Sequence, residues 1–61
     1  MKVREIVKLL EADGWYRIKA KGGHRQYKHP VKPRRVTVPG QISADLDQKT
    51  EKSILRQAGL E

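Results

Sequence analysis

Residues 15–29 read Trp15-Tyr16-Arg17-Ile18-Lys19-Ala20-Lys21-Gly22-Gly23-His24-Arg25-Gln26-Tyr27-Lys28-His29. Tyr16, Ile18 and Ala20 alternate with Trp15, Arg17, Lys19 and Lys21, a period of two that predicts a half-buried strand. Gly22-Gly23 predicts a hairpin turn, because both residues accept positive φ at little cost. A second strand follows over 24–29. Its one large apolar side chain is Tyr27; with Tyr27 inward, Arg25 and His29 share its face, and His24, Gln26 and Lys28 point away. The segment from Pro30 to Pro33 interrupts the ladder. Arg35-Val36-Thr37-Val38 then predicts a third strand with both valines inward, stopped by Pro39-Gly40.

On either side of this β segment the period changes. Val3, Ile6, Val7, Leu9 and Leu10 recur at helical spacing with Arg4, Glu5, Lys8 and Glu11 opposite them, so residues 3–13 form an amphipathic helix that Gly14 ends. Residues 41–46 read as a polar connector anchored by Ile42 and Leu46. Asp47 is the expected N-cap of a second helix near 48–58, with Thr50, Ile54, Leu55 and Ala58 on one face. Gly59 would end that helix and Leu60 would fold back on its last turn. The order α-β-β-β-α is that of an α+β fold, two helices packed on one face of a three-stranded antiparallel sheet and the other face wet. Strand parity assigns Arg17, Lys19, Lys21, His24, Gln26, Lys28, Arg35 and Thr37 to the wet face.

The chain has 61 residues and a net charge of +7. Residues 1–16 are neutral and residues 36–61 carry −1, so the excess belongs to residues 17–35. There Arg17, Lys19, Lys21, Arg25, Lys28, Lys32, Arg34 and Arg35 stand without a single acid. A solvated strand whose cations only conferred solubility would carry mixed signs. The pattern instead points to a polyanion, with RNA backbone or single strands favoured by a basic sheet flanked by near-neutral helices. A chain this short is expected to form one domain, 1–61, and buries only about 60% of its unfolded surface. It has no room to enclose a large cofactor, and none is expected. The absence of cysteine removes disulfide and thiolate-metal chemistry, and no metal site is expected. No apolar run reaches a membrane span and the amino end shows no secretory h-region, which gives a cytoplasmic expectation.

His24 follows the glycine pair between Lys21 and Arg25. A histidine moves protons near neutral pH, and RNA supplies its own nucleophile, the 2′-OH. One histidine among cations is therefore enough for a slow ribonuclease, although pattern alone also fits an ordinary surface histidine. His29 lies five positions on, an odd spacing that separates the two across a strand; before Pro30 it is expected to support the loop or cap backbone groups. Glu5, Glu11 and Asp13 read as solvated helix charges. Ser43, Thr50 and Ser53 have no neighbour in the sequence arranged to activate them. With only Trp15, Tyr16 and Tyr27 as aromatics, a base-stacking platform of the RRM type is not expected.

Four stretches together resemble one family. They are Leu9-Leu10-Glu11-Ala12-Asp13-Gly14-Trp15; Lys21-Gly22-Gly23-His24-Arg25-Gln26-Tyr27-Lys28-His29-Pro30; Arg35-Val36-Thr37-Val38-Pro39; and Ser53-Ile54-Leu55-Arg56-Gln57-Ala58-Gly59-Leu60. In this order they are similar to the HicA toxin–antitoxin mRNA interferases. The resemblance implies a fold like the double-stranded-RNA-binding domain, cleavage of mRNA, and neutralisation by a HicB-type antitoxin covering the basic face. It also implies that His24 is the catalytic histidine. Lys21, Arg25 and Lys28 are then the candidates for phosphate binding, with Arg17, Lys19 and Arg35 guiding the strand. The chain departs from the family pattern at Gly23, often serine, and around Gln48-Lys49-Thr50, where a glycine often precedes the threonine. The alternative from another class is a non-catalytic RNA-binding module that blocks translation by occupancy; a domain whose basic face serves only an acidic protein is a third.

Overall fold

The computed structural model describes residues 1–18 and 25–61. Helix α1 runs Val3–Ala12, strand β1 Tyr16–Ile18, β2 Arg25–Lys28, β3 Val36–Val38 and helix α2 Gln48–Gln57. The α-β-β-β-α order is as expected. The expected Gly22-Gly23 turn, with Lys19, Ala20, Lys21 and His24, lies outside the described residues.

Both helices form on apolar stripes and stop for the same reason. On α1 the stripe is Val3, Ile6, Val7 and Leu10, all buried. Leu9, expected with them, falls off the stripe and is 43% exposed. Gly14 has φ +101°, and the N–H groups of Gly14 and Trp15 return to the carbonyls of Glu11 and Leu10, both at 3.0 Å. At the end of α2, Gly59 has φ +72°, and Gly59 and Leu60 donate to Arg56 and Leu55 at 3.1 and 2.8 Å. Each is a Schellman closure, which satisfies carbonyls the helix leaves open. At the other end of α2 Asp47 is the N-cap, accepting from the Thr50 N–H at 3.4 Å and the Thr50 hydroxyl at 2.6 Å.

Helix α1 has no side-chain cap. Its first donors are met by the connector: Val3 N–H donates to the Ala44 carbonyl at 2.9 Å and Arg4 N–H to Ile42 at 3.1 Å. Leu46 N–H returns to the Met1 carbonyl at 2.9 Å, and Lys2 pairs with Asp45 as an antiparallel bridge. Ile42, expected to anchor through its side chain, is 44% exposed and acts through its carbonyl; Leu46 and Ala44 pack on the core.

The sheet order is β1-β2-β3, antiparallel throughout. Tyr16, Arg17 and Ile18 face Lys28, Tyr27 and Gln26; Arg25, Gln26 and Tyr27 face Val38, Thr37 and Val36. Directly paired residues share a face. The inner face is therefore Arg17, Arg25, Tyr27, Val36 and Val38, and the outer face is Tyr16, Ile18, Gln26, Lys28 and Thr37. The core joins the inner-face Tyr27, Val36 and Val38 to Trp15, the α1 stripe, Ile54 and Ala58. This reverses the expected parity of β1. Trp15 is 2% exposed while Tyr16 is 50% exposed. The cause is the helix end: Trp15 closes α1 by donating its N–H to the Leu10 carbonyl, and its side chain joins the core. A three-residue strand has too few apolar side chains to impose the opposite register.

Candidate functional site

Of the residues expected to carry chemistry, His24, Lys21 and Lys19 lie outside the described residues. The other four do not share one sheet face, as parity had placed Arg17, Lys28 and Arg35. Arg17 is the cross-strand partner of Tyr27, and Arg25 precedes Tyr27 by two residues on the same face. Such diagonal neighbours sit about 7–8 Å apart. Lys28 is exposed on the outer face, and Arg35 is exposed just before β3. The cations thus border both sides of the β1–β2 ribbon.

Arg25 is committed locally. Its guanidinium donates to the Gly40 carbonyl at 2.8 Å, strapping β2 to the turn that ends β3. Among the described residues, its other four N–H donors have no side-chain or backbone acceptor. Tyr27 feels the surrounding charges: burial pushes its phenol above the ordinary range, Glu11 adds to this, and Arg25 and Arg17 oppose it. An open groove of about 380 Å³ also runs between β3 and α2, past Thr37, Lys49, Ser53 and Gln57. Among the described residues, none of those expected at the site lines it.

The loop after β2 contains a second polar cluster. His29 Nδ1 accepts the N–H groups of Val31 and Lys32 at 3.0 and 3.1 Å. Nδ1 therefore carries no proton, and Nε2–H donates to the Asp13 carbonyl at 2.6 Å. Both ring nitrogens are occupied by backbone, which is the loop-supporting role expected for His29. Asp13, expected as a solvated charge, is instead a junction. Its carboxylate accepts from Lys32 Nζ at 2.5 Å and Trp15 Nε1 at 3.2 Å. Lys32 Nζ also donates to the Ala58 carbonyl at 2.7 Å and lies 5.9 Å from the centroid of the Trp15 ring. The hydrogen bond from Lys32 holds the Asp13 carboxyl below its ordinary value. Lys32, counted in the basic block, thus serves the scaffold, and the cluster ties the ends of α1 and α2 to the loop. One signal in the sequence pointed here: an acid at a helix carboxyl end opposes the helix dipole and calls for a cation.

Comparison with known proteins agrees with the fold and extends it. Residues 3–60 match the family described as "HicA toxin of bacterial toxin-antitoxin". A solved structure, "Toxin-Antitoxin complex from Streptococcus pneumoniae", superposes with a TM-score of 0.81 at 36% identity, covering 98% of each chain. No curated protein matches. With nearly the whole chain matched and the α-β-β-β-α architecture in place, the chain belongs to the HicA family of bacterial toxin–antitoxin toxins.

Proposed function

We propose that this toxin is an endoribonuclease of the mRNA-interferase kind and that His24 performs its proton transfer. The observation that carries the reading is the run 17–35, with eight cations and no acid around His24, in a chain of this family. RNA brings its own nucleophile. The 2′-OH loses its proton and attacks the adjacent phosphorus, a P–O2′ bond forms, the P–O5′ bond breaks and the leaving oxygen gains a proton. His24 moves a proton at the 2′-OH or at the leaving oxygen, and solvent supplies the other transfer. Because the nucleophile belongs to the substrate, this scheme calls for no metal. Lys21, Arg25 and Lys28 bind phosphate and offset the charge that builds on its oxygens, while Arg17, Lys19 and Arg35 guide the strand. The substrate is mRNA, met in the cytoplasm.

The same charge suits a protein partner. A HicB-type antitoxin with an acidic surface, seated over the basic segment, would neutralise it and exclude RNA together. The relative from Streptococcus pneumoniae is described as a toxin–antitoxin complex, which supports this reading.

The test uses a defined RNA incubated with wild-type toxin and with His24→Ala. Wild type is expected to cleave, and the variant to bind with unchanged salt dependence but leave RNA intact. Cleavage retained by His24→Ala removes His24 from the mechanism. Intact RNA under wild-type toxin, with tight salt-sensitive binding, turns the reading to translational block by occupancy.

A further inference from the structure

The corrected register of β1 places an aromatic side chain where the alternation of the sequence had put a basic one. Tyr16 lies on the outer face of the sheet, 50% exposed, directly opposite Lys28. The other two aromatic residues, Trp15 and Tyr27, are each 2% exposed in the core. Beside the Tyr16–Lys28 pair, about 7 Å along the strands, runs the row Ile18, Gln26 and Thr37. No acid stands on this face among the described residues, and no side-chain hydrogen bond or ion pair there engages Tyr16, Gln26 or Lys28. Neither helix turns its apolar stripe to this face, and α2 borders it only at the Thr37 edge, across the open groove.

We infer that Tyr16 is a base-stacking residue, on which an unpaired base of the RNA substrate packs while Lys28 holds a phosphate beside it. The inference rests on the ribonuclease reading above and adds to it the subsite that positions the strand. An exposed phenol ring offers a π-face to any base, and stacking of this kind tolerates sequence. The neighbouring ammonium supplies the ionic contact that a lone ring lacks. Gln26 presents a donor and an acceptor to the edge of the next base, and Ile18 gives that base an apolar floor. Lys28 lies four positions after His24, a stretch of chain that spans at most about 14 Å. The stacked base is thus within a few nucleotides of the bond that His24 would break. A base in a duplex has both faces covered, so this subsite selects single-stranded RNA.

The experiment measures binding of a fluorescent, non-cleavable 2′-O-methyl oligoribonucleotide to the full chain over a range of salt. Tyr16→Ala and Tyr16→Thr are expected to weaken binding roughly 5- to 100-fold at every salt concentration with the salt slope unchanged, because stacking releases no counterions. Tyr16→Phe and Tyr16→Trp keep the wild-type affinity. Lys28→Gln lowers the slope by about 0.7, the ionic signature of one phosphate on a single strand. A 5-iodouracil-substituted oligomer is expected to photo-crosslink at Tyr16, and circular dichroism checks that each variant is folded. Binding by folded Tyr16→Ala and Tyr16→Thr within twofold of wild type overturns the subsite. If wild type also cleaves RNA in a His24-dependent manner, only the subsite falls; if wild type neither binds nor cleaves, the ribonuclease reading falls with it. Unchanged RNA affinity with lost affinity for the antitoxin assigns the face to the protein partner and likewise overturns the proposal.

Discussion

At the scale of single residues, the scaffold depends on positions that look ordinary in the sequence. Gly14 is one. Its φ of +101° is costly for any side chain, and an added Cβ would lie 2.9 Å from His29 Nε2, the atom bonded to the Asp13 carbonyl. Gly14→Ala is expected to cost about 2 kcal/mol from backbone conformation alone, measured by chemical denaturation. Asp13 gives a prediction in pH. Its folded-state carboxyl lies below the ordinary 3.8 because Lys32 donates to it, so the unfolded chain binds its proton first as pH falls. The contribution is complete above about pH 4 and is lost as pH drops through the depressed folded value. Asp47, lowered by Thr50, behaves in the same sense. The denaturation midpoint is expected to fall below pH 4, and Asp13→Asn is expected to flatten that fall while lowering stability at pH 7.

At the scale of elements, most of the fold is legible in the sequence. The α1 stripe apart from Leu9, the two glycine stops, the Asp47 cap and the inward valines of β3 all follow from local rules, and each appears where those rules place it. The cap can be weighed: Asp47→Ala is expected to cost about 0.5–2 kcal/mol in denaturant unfolding, since the first turn of α2 loses its side-chain acceptor. β1 was misread because two rules compete at Trp15. Alternation sends Trp15 outward, but the Schellman closure of α1 turns it inward, and a strand of three residues cannot resist. The Asp13 junction was not legible as a unit, since its partners His29 and Lys32 lie 16 and 19 residues away. The basic segment was plain in composition, yet its arrangement depended on β1 and changed with it. For the candidate site, the sequence put forward the cations and His24 as candidates, but not which of the described cations share a face.

At the scale of the whole molecule, charge is the dominant long-range property. Strands β1 and β2 carry cations on both faces, while the helices and the connector are close to neutral. RNA affinity is expected to fall steeply with salt, and Arg17→Gln and Lys28→Gln are each expected to reduce the log–log slope by about 0.7, read in a fluorescence titration. Arg25→Gln should differ in kind: it removes a proposed phosphate ligand and also the strap to Gly40, so its affinity loss is expected to come with lower stability. Among the described residues no helix is long and apolar enough to cross a membrane.

The stitching of the amino end to the connector sets the order of events during synthesis. Helix α1 is made first, but the carbonyls that accept its Val3 and Arg4 donors belong to Ala44 and Ile42, and its Met1 carbonyl waits for Leu46. A helix this short is marginal in isolation. A ribosome that has made only α1 and the sheet strands therefore carries a chain whose first turn is unfinished. Completion comes with the connector, and α2 then adds Ile54 to the core and the Ala58 carbonyl to Lys32. The first turn of α1 and the tie from Lys32 to the Ala58 carbonyl thus both depend on segments that follow the sheet in the chain.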